Sequence, residues 1–205
     1  MMPLQLAAIV EGDGEVEAVP ILIRRVAAEI DPSLAVRVDP VLRVPASRLM
    51  KPQELERSVE LAARKLSGKG AILILVDCDW DLGCPAREAP ALLARARQAR
   101  GDMSISVVLA KKEYEAWFIA AAASLRGKRG LAPDLTAPAN PEGIRGAKEW
   151  LSRHMPRNRP YAETTDQPAL SAVFDMAQAR EADSFDKCYR EIAAALQALR
   201  VQQVG

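Results

Sequence analysis

Histidine occurs once in this 205-residue chain, at His154, and cysteine three times, at Cys78, Cys84 and Cys188. A structural zinc site takes its ligands in closely spaced pairs, which these four scattered residues do not form, and three cysteines are too few for a disulfide framework, so neither is expected to organise the fold. Trp, Tyr and Phe number three each, too few for a surface that stacks on successive bases. No stretch approaches the ~20 apolar residues of a membrane helix. The start, MMPLQLAAIVEGDGE, lacks the basic segment and apolar length of a signal peptide. The expectation is a soluble cytoplasmic protein with no membrane partner. An excess of one charge is missing too: 28 Lys and Arg against 27 Asp and Glu leave a net +1. The whole chain is therefore no polycation, and affinity for nucleic acid would need a local basic face.

What is present is apolar residue, 49% of the chain, arranged in two ways. Over the first 125 residues, short apolar runs alternate with segments of helical spacing. LQLAAIV (4–10), LAVRVDPVLRV (34–44), GAILILVDCDWD (70–81) and SISVVLA (104–110) read as strands. AILILV is apolar without interruption, as suits a parallel strand covered on both faces. Pro40 marks a bulge or an edge position in the second strand. Between and after the strands, residues 15–30, 52–66, 87–100 and 113–125 carry helical periodicity, with Pro20 near the first turn of its helix. Four βα units in succession predict an α/β core with a four-stranded parallel sheet and flanking helices. Beyond it, RGKRGLAPDLTAPANPEG (126–143) reads as a linker, followed by helices around 144–155, 169–180 and 185–199. The expected division is a core over 1–125 and a helical C-terminal extension over 126–205.

Ligands of an open parallel sheet sit beyond the carboxyl ends of its strands, and three of these strands end in acid. EGDGE supplies Glu11, Asp13 and Glu15; DCDWD supplies Asp77, Asp79 and Asp81; KKEYE supplies Lys111, Lys112, Glu113 and Glu115. Two carboxylates ~4 Å apart repel by roughly 4 kcal/mol at an effective dielectric of ~20. A helix N-terminus returns only about 0.3–1 kcal/mol per acid. A hard divalent cation compensates what the dipole cannot, and oxygen ligands favour Mg²⁺ or Mn²⁺. Acidic capping of the following helices is the bland alternative, and it does not explain convergence from separate strands. Cys78 lies between two of these acids and falls by parity on the opposite face, in packing. A dinucleotide loop fits VEGDGEVEA poorly, because the third glycine is missing and Glu15 stands where a pyrophosphate would lie. A phosphoaspartyl phosphatase fits DCDWD poorly, because the pair follows the third strand.

Glu-Gly after the first strand and Asp-x-Asp after the third resemble a Toprim domain, the fold of topoisomerases, bacterial primases and OLD-type nucleases. The fuller set, with VEGDGEVEAVPILIRR, LVDCDWD, KKEYEAWFIA, DQPAL and SFDKC, resembles the bacterial Toprim-like domain-of-unknown-function family 4276. The Toprim part covers roughly residues 1–125, and the wider pattern nearly the whole chain. The resemblance implies that Glu11 acts as general acid/base or helps hold metal. It implies that Asp77 and Asp79 form the metal-binding pair, with Glu15 as a second metal-proximal acid. Asp81 is carried as a further metal-site acid at its margin, with a solvated position as the competing reading, and Glu113 or Glu115 stands for the extra acid of a second ion, Glu115 being carried as the ligand. Lys111 or Lys112 would neutralise charge on the phosphate, Lys112 being carried as the catalytic one. The implied activity is a Mg²⁺- or Mn²⁺-dependent nuclease, with an ABC-type ATPase as partner in phage defence. The alternatives are a non-catalytic metal-binding subunit of such a complex and a small-molecule phosphohydrolase.

Arg126, Lys128 and Arg129 in the linker, with Lys148 beyond it, form the candidate nucleic-acid face; a solvated basic surface is the competing reading. Trp117 and Phe118 are expected in packing rather than on bases. Asp166, Gln167, Ser184 and Phe185 enter through the resemblance alone, and chemistry gives them no role at this point.

Overall fold

The structure is a computed structural model that describes residues 2–78 and 84–204. Four strands, β1 (Leu4–Val10), β2 (Val36–Arg43), β3 (Ala71–Cys78) and β4 (Ser104–Lys111), form one parallel sheet in the order β2-β1-β3-β4. This is the α/β architecture with flanking helices that the βα succession predicts. The register of β2 against β1 slips between Leu6 and Ala8, opposite Val38 and Val41, so Pro40 sits both at a bulge and on an edge strand.

The winding direction reverses once. The chain steps one way from β1 to β2, then the other way to β3 and on to β4. With a single crossover hand, that reversal puts the first helix on one face and the later ones on the other. α1 (Asp13–Ile30) lies on the first face, and α3 (Glu54–Lys65) and α4 (Pro85–Ala99) on the second, with the one-turn α2 (Ala46–Leu49) before α3. Strand side chains alternate accordingly. Leu6, Ala8, Leu73 and Leu75 enter the cluster under α1, while Ala7, Ile9, Ile74 and Val76 enter the cluster under α3 and α4. Each such Leu or Ile, fully buried, contributes roughly 1.5–3 kcal/mol. The gap between β1 and β3 is the topological switch point, where parallel sheets bind ligands.

α1 starts two residues before the expected Glu15, which moves Pro20 to its eighth position rather than its first turn. The proline removes one backbone donor there, so the Val16 carbonyl gets no helical partner. The expected helix over 113–125 is α5 (Ala116–Ala120) followed by a 3₁₀ turn (Ala122–Leu125). In the extension, α6 (Ala147–Arg153) matches the first expected helix. The second breaks into α7 (Glu163–Ser171) and α8 (Met176–Ala179), with Asp175 capping the start of α8 by accepting from the Ala177 and Gln178 N–H groups at 2.8 and 3.1 Å. The third, α9 (Asp183–Val204), is longer at both ends than expected. No described helix is long and apolar enough to cross a membrane.

The extension packs over the α1 face and shares its core. Tyr114, Trp117 and Phe118 of the β4–α5 region join Phe174 and Phe185 in one chain of ring contacts with centroids 4.5–5.5 Å apart. All five are buried. Arg25 of α1 donates to the Ser171 and Phe174 carbonyls at 2.8 and 2.7 Å, satisfying acceptors where α7 ends. Ser184, in the SFDKC segment, accepts from the Trp117 indole N–H at 2.8 Å and from the Lys111 N–H at 3.2 Å. Its role is to tie α9 to the end of β4.

Candidate functional site

The ends of β1 and β3 open into a cavity of about 370 Å³, lined by Glu11, Gly12, Asp13, Glu15, Arg43, Pro45, Asp77, Glu113, Lys148 and Glu163. Glu11 follows directly on β1 and Asp77 is the penultimate residue of β3. The two touch: the Asp77 N–H donates to Glu11 Oε2 at 3.3 Å. By parity with Leu73 and Leu75, Asp77 faces the α1 side and Cys78 the other, where Cys78 packs under α4 as expected. Asp77 Oδ1 accepts from the Tyr114 N–H at 2.9 Å. The β4–α5 turn is thereby fastened to the end of β3.

Glu15 occupies the third position of α1. Its Oε2 accepts from the Glu11 and Gly12 N–H groups at 2.8 and 3.1 Å, satisfying donors that every helix start leaves open. The carboxyl is nevertheless buried. Burial, reinforced by the charges of Glu11 and Glu163 and opposed by those two N–H groups, pushes it up to about 7. Asp77 is raised well above the usual carboxylate range by burial, then by Glu15, Glu115 and Glu11. Glu115, at 0% exposure, is pushed by burial to about 7 against the opposing pull of Lys148 and the Tyr161 hydroxyl. That hydroxyl donates to Glu115 Oε1 at 2.9 Å, and Oε2 has no hydrogen-bond partner among the described residues.

The extension supplies the counter-charge. Lys148 of α6 donates to Glu163 Oε2 at 2.6 Å. Burial works against the ammonium, but Glu115, Glu163 and Asp77 outweigh it and raise Lys148 above its ordinary value. Burial likewise works against the Glu163 charge, yet Lys148 and the Gly14 N–H hold that carboxyl below the usual range. The glycines of EGDG serve this junction. A Cβ on Gly14 would stand 2.2 Å from Gln167 Oε1 and 2.7 Å from the Glu163 carbonyl, and one on Gly12 would stand 2.6 Å from Glu163 Oε1. The glycine turn is shaped by α7.

Of the acids named from sequence, the structure brings Glu11, Asp13, Glu15, Asp77 and Glu113 to one cavity, with Glu115 buried alongside. Asp79 and Asp81 lie outside the described residues. Glu113 spends Oε1 on the Ala147 N–H at 3.0 Å. Lys112 lines a different, adjoining cavity, and Lys111 points toward α9 in a third. Lys148, expected on a nucleic-acid face, lines the acid cavity instead. Arg126, Lys128 and Arg129 are exposed but engaged within the fold. They bond to the Leu135 carbonyl, the Val173 carbonyl and the Asp166 carboxylate respectively. Sequence reasoning missed Arg43, which pairs with Asp13 at 2.8 Å, and Glu163. Arg43 closes β2 and so stands at a strand's carboxyl end, the same signal that marks the acids, whereas Glu163 opens α7 in the extension and follows no strand. Asp166 gains a role: buried, it binds Arg129 and Arg159 at 3.1 and 2.7 Å and caps the start of α7 through the Ala162 N–H at 3.0 Å.

Among the described residues, no three His, Cys, Asp or Glu side chains stand together in ligating geometry. The donor set nonetheless fits a hard divalent cation chemically. It is all oxygen, one buried carboxylate oxygen lacks a partner among the described residues, and three carboxyls carry raised affinities for protons that a cation would relieve.

The family model described as "Domain of unknown function (DUF4276)" matches residues 10–193. No curated protein matches the chain. Among solved structures, the C-terminal region of the Burkholderia pseudomallei OLD protein is similar over 98% of this chain and 99% of that one, with 15% identity and a TM-score of 0.44.

Proposed function

The chain belongs to the DUF4276 family, and from that premise we propose that it is a divalent-metal-dependent nuclease that hydrolyses phosphodiester bonds of nucleic acid. The observation that carries the reading is the crowding of Glu11, Glu15 and Asp77 at the β1/β3 switch point, with Glu115 behind them. Mg²⁺ or Mn²⁺ held there by Glu11, Asp77 and Glu15, with Asp79 and Glu115 completing the set, would polarise a phosphoryl oxygen and lower the pKa of water. The chain's own residues do the rest. Glu11 stands at the cavity wall with Oε2 fixed by the Asp77 amide, placed to take a proton from the attacking water or give one to the leaving oxygen. Lys148 balances the acids and offers an ammonium to a phosphate. The Tyr161 hydroxyl and the Tyr114 amide hold Glu115 and Asp77 in position.

In the same reading the protein works in the cytoplasm on nucleic acid, beside an ABC-type ATPase. Purified protein incubated with supercoiled plasmid and Mn²⁺ should nick it, and Glu11→Ala and Asp77→Ala should each reduce the rate by at least ~100-fold. Cleavage that persists in both variants overturns the assignment.

A further inference from the structure

The acid cavity has a smaller neighbour of about 190 Å³, lined by Lys112, Glu113, Arg145 and Gly146. Glu113 lines both. The four residues come from two places, the β4–α5 turn and the approach to α6, so this cavity exists only because the extension docks on the core. The Glu113 carboxylate fastens that joint through the Ala147 N–H at 3.0 Å.

The backbone at this joint is unusual. Lys112 has φ 71°, in the left-handed region that a residue with a side chain rarely adopts. The N–H of Lys112 donates to the Cys78 carbonyl at 3.2 Å, so the turn is pinned to the end of β3. Strain of this kind, held by surrounding bonds, collects where a side chain must be aimed. Lys112 and Arg145 both line the small cavity, and the planar fork of a guanidinium suits phosphate oxygens.

We propose that Lys112 and Arg145 form a subsite for a second backbone phosphate, next to the one bound at the acid cavity, so that the substrate is a polynucleotide strand rather than a small phosphate ester. The proposal rests on the nuclease reading for the identity of the first phosphate. A small monophosphate ester engages the acid cavity alone. A strand presents the next phosphate at fixed spacing and gains the two cations as well.

The test uses the intact protein with a fluorescein-labelled 20-mer oligothymidylate in Ca²⁺, read by anisotropy across a salt series. Lys112→Gln and Arg145→Gln should each weaken binding about five- to tenfold and lower the slope of log affinity against log salt by about 0.7. Lys69→Gln, at the opposite end of the strands, should leave both unchanged. Lys112→Gly separates binding from folding: it relieves the left-handed strain, so melting temperature should rise while binding falls. Wild-type affinity in both glutamine variants, an equal loss in Lys69→Gln, or no binding by the wild type overturns the subsite. If the oligonucleotide binds as stated but plasmid stays uncut in Mn²⁺, the nuclease reading fails and the subsite stands.

Discussion

Replacing Glu15 with glutamine separates the electrostatic cost of the acid cluster from its structural use. The Glu15 carboxylate satisfies two N–H groups at the start of α1, and a glutamine carbonyl oxygen can accept from the same two. What Glu15→Gln removes is the buried charge. Displacement of the carboxyl from 4.5 to about 7, at about 1.4 kcal/mol per pKa unit, corresponds to about 3 kcal/mol. The sign follows from proton counting. Between about pH 4.5 and 7 the folded state holds a proton that the unfolded chain has released, so wild-type stability falls as pH rises through that window. The full penalty is present above pH 7. In EDTA, Glu15→Gln should therefore match the wild type up to a constant offset at pH 4.5, then gain on it by about 3 kcal/mol by pH 8. For a chain of this size that is a rise in relative melting temperature of roughly 6–12 °C. Some of the gain will be relief of Asp77, which Glu15 also raises. Urea denaturation at several pH values reads the difference directly. A difference between variant and wild type that stays flat from pH 4.5 to 8 would refute the reasoning, because Glu15 would then carry no buried charge.

Further outcomes follow from the same geometry. Gly14→Ala drives a methyl group into Gln167 and the Glu163 backbone, and should cost about 1–3 kcal/mol in urea denaturation; a neutral result would mean that α1 and α7 do not approach as described. Lys148→Met removes the counter-charge of Glu163, Glu115 and Asp77, so the melting-temperature rise on adding Mn²⁺ should exceed that of the wild type; an equal or smaller rise would separate Lys148 from the acid cluster. Asp166→Ala unpairs Arg129 and Arg159 and uncaps α7. It should cost about 1–3 kcal/mol, measured by the same denaturation, and a loss below ~0.5 kcal/mol would contradict a buried tie.

The division of labour between sequence and tertiary structure shows in particular residues. Strand periodicity was readable because one side chain per two residues must face each layer, and AILILV has no polar position to spare. The carboxyl-end acids were readable for the same reason: parallel βα units bring strand ends to one edge whatever the strand order. The order β2-β1-β3-β4, which puts Glu11 beside Asp77 at the switch point, is a matter of pairing between distant segments. Helix ends in the extension were misjudged where a side chain decided them, as with Asp175 between α7 and α8. Pro20 inside α1 is tolerated because the helix is buried on the sheet, a packing effect invisible in local propensity.

By itself, the sequence determined an α/β core, its acidic edge and the apolar faces, because periodicity and strand polarity are local properties of the chain. Only the tertiary structure decided that Lys148 and Glu163 enter the acid cavity, that Arg129 is tied to a buried aspartate, and that the EGDG glycines make room for α7. Charge compensation and close approach depend on which helix docks where, and docking is settled by the aromatic core that joins the extension to the sheet.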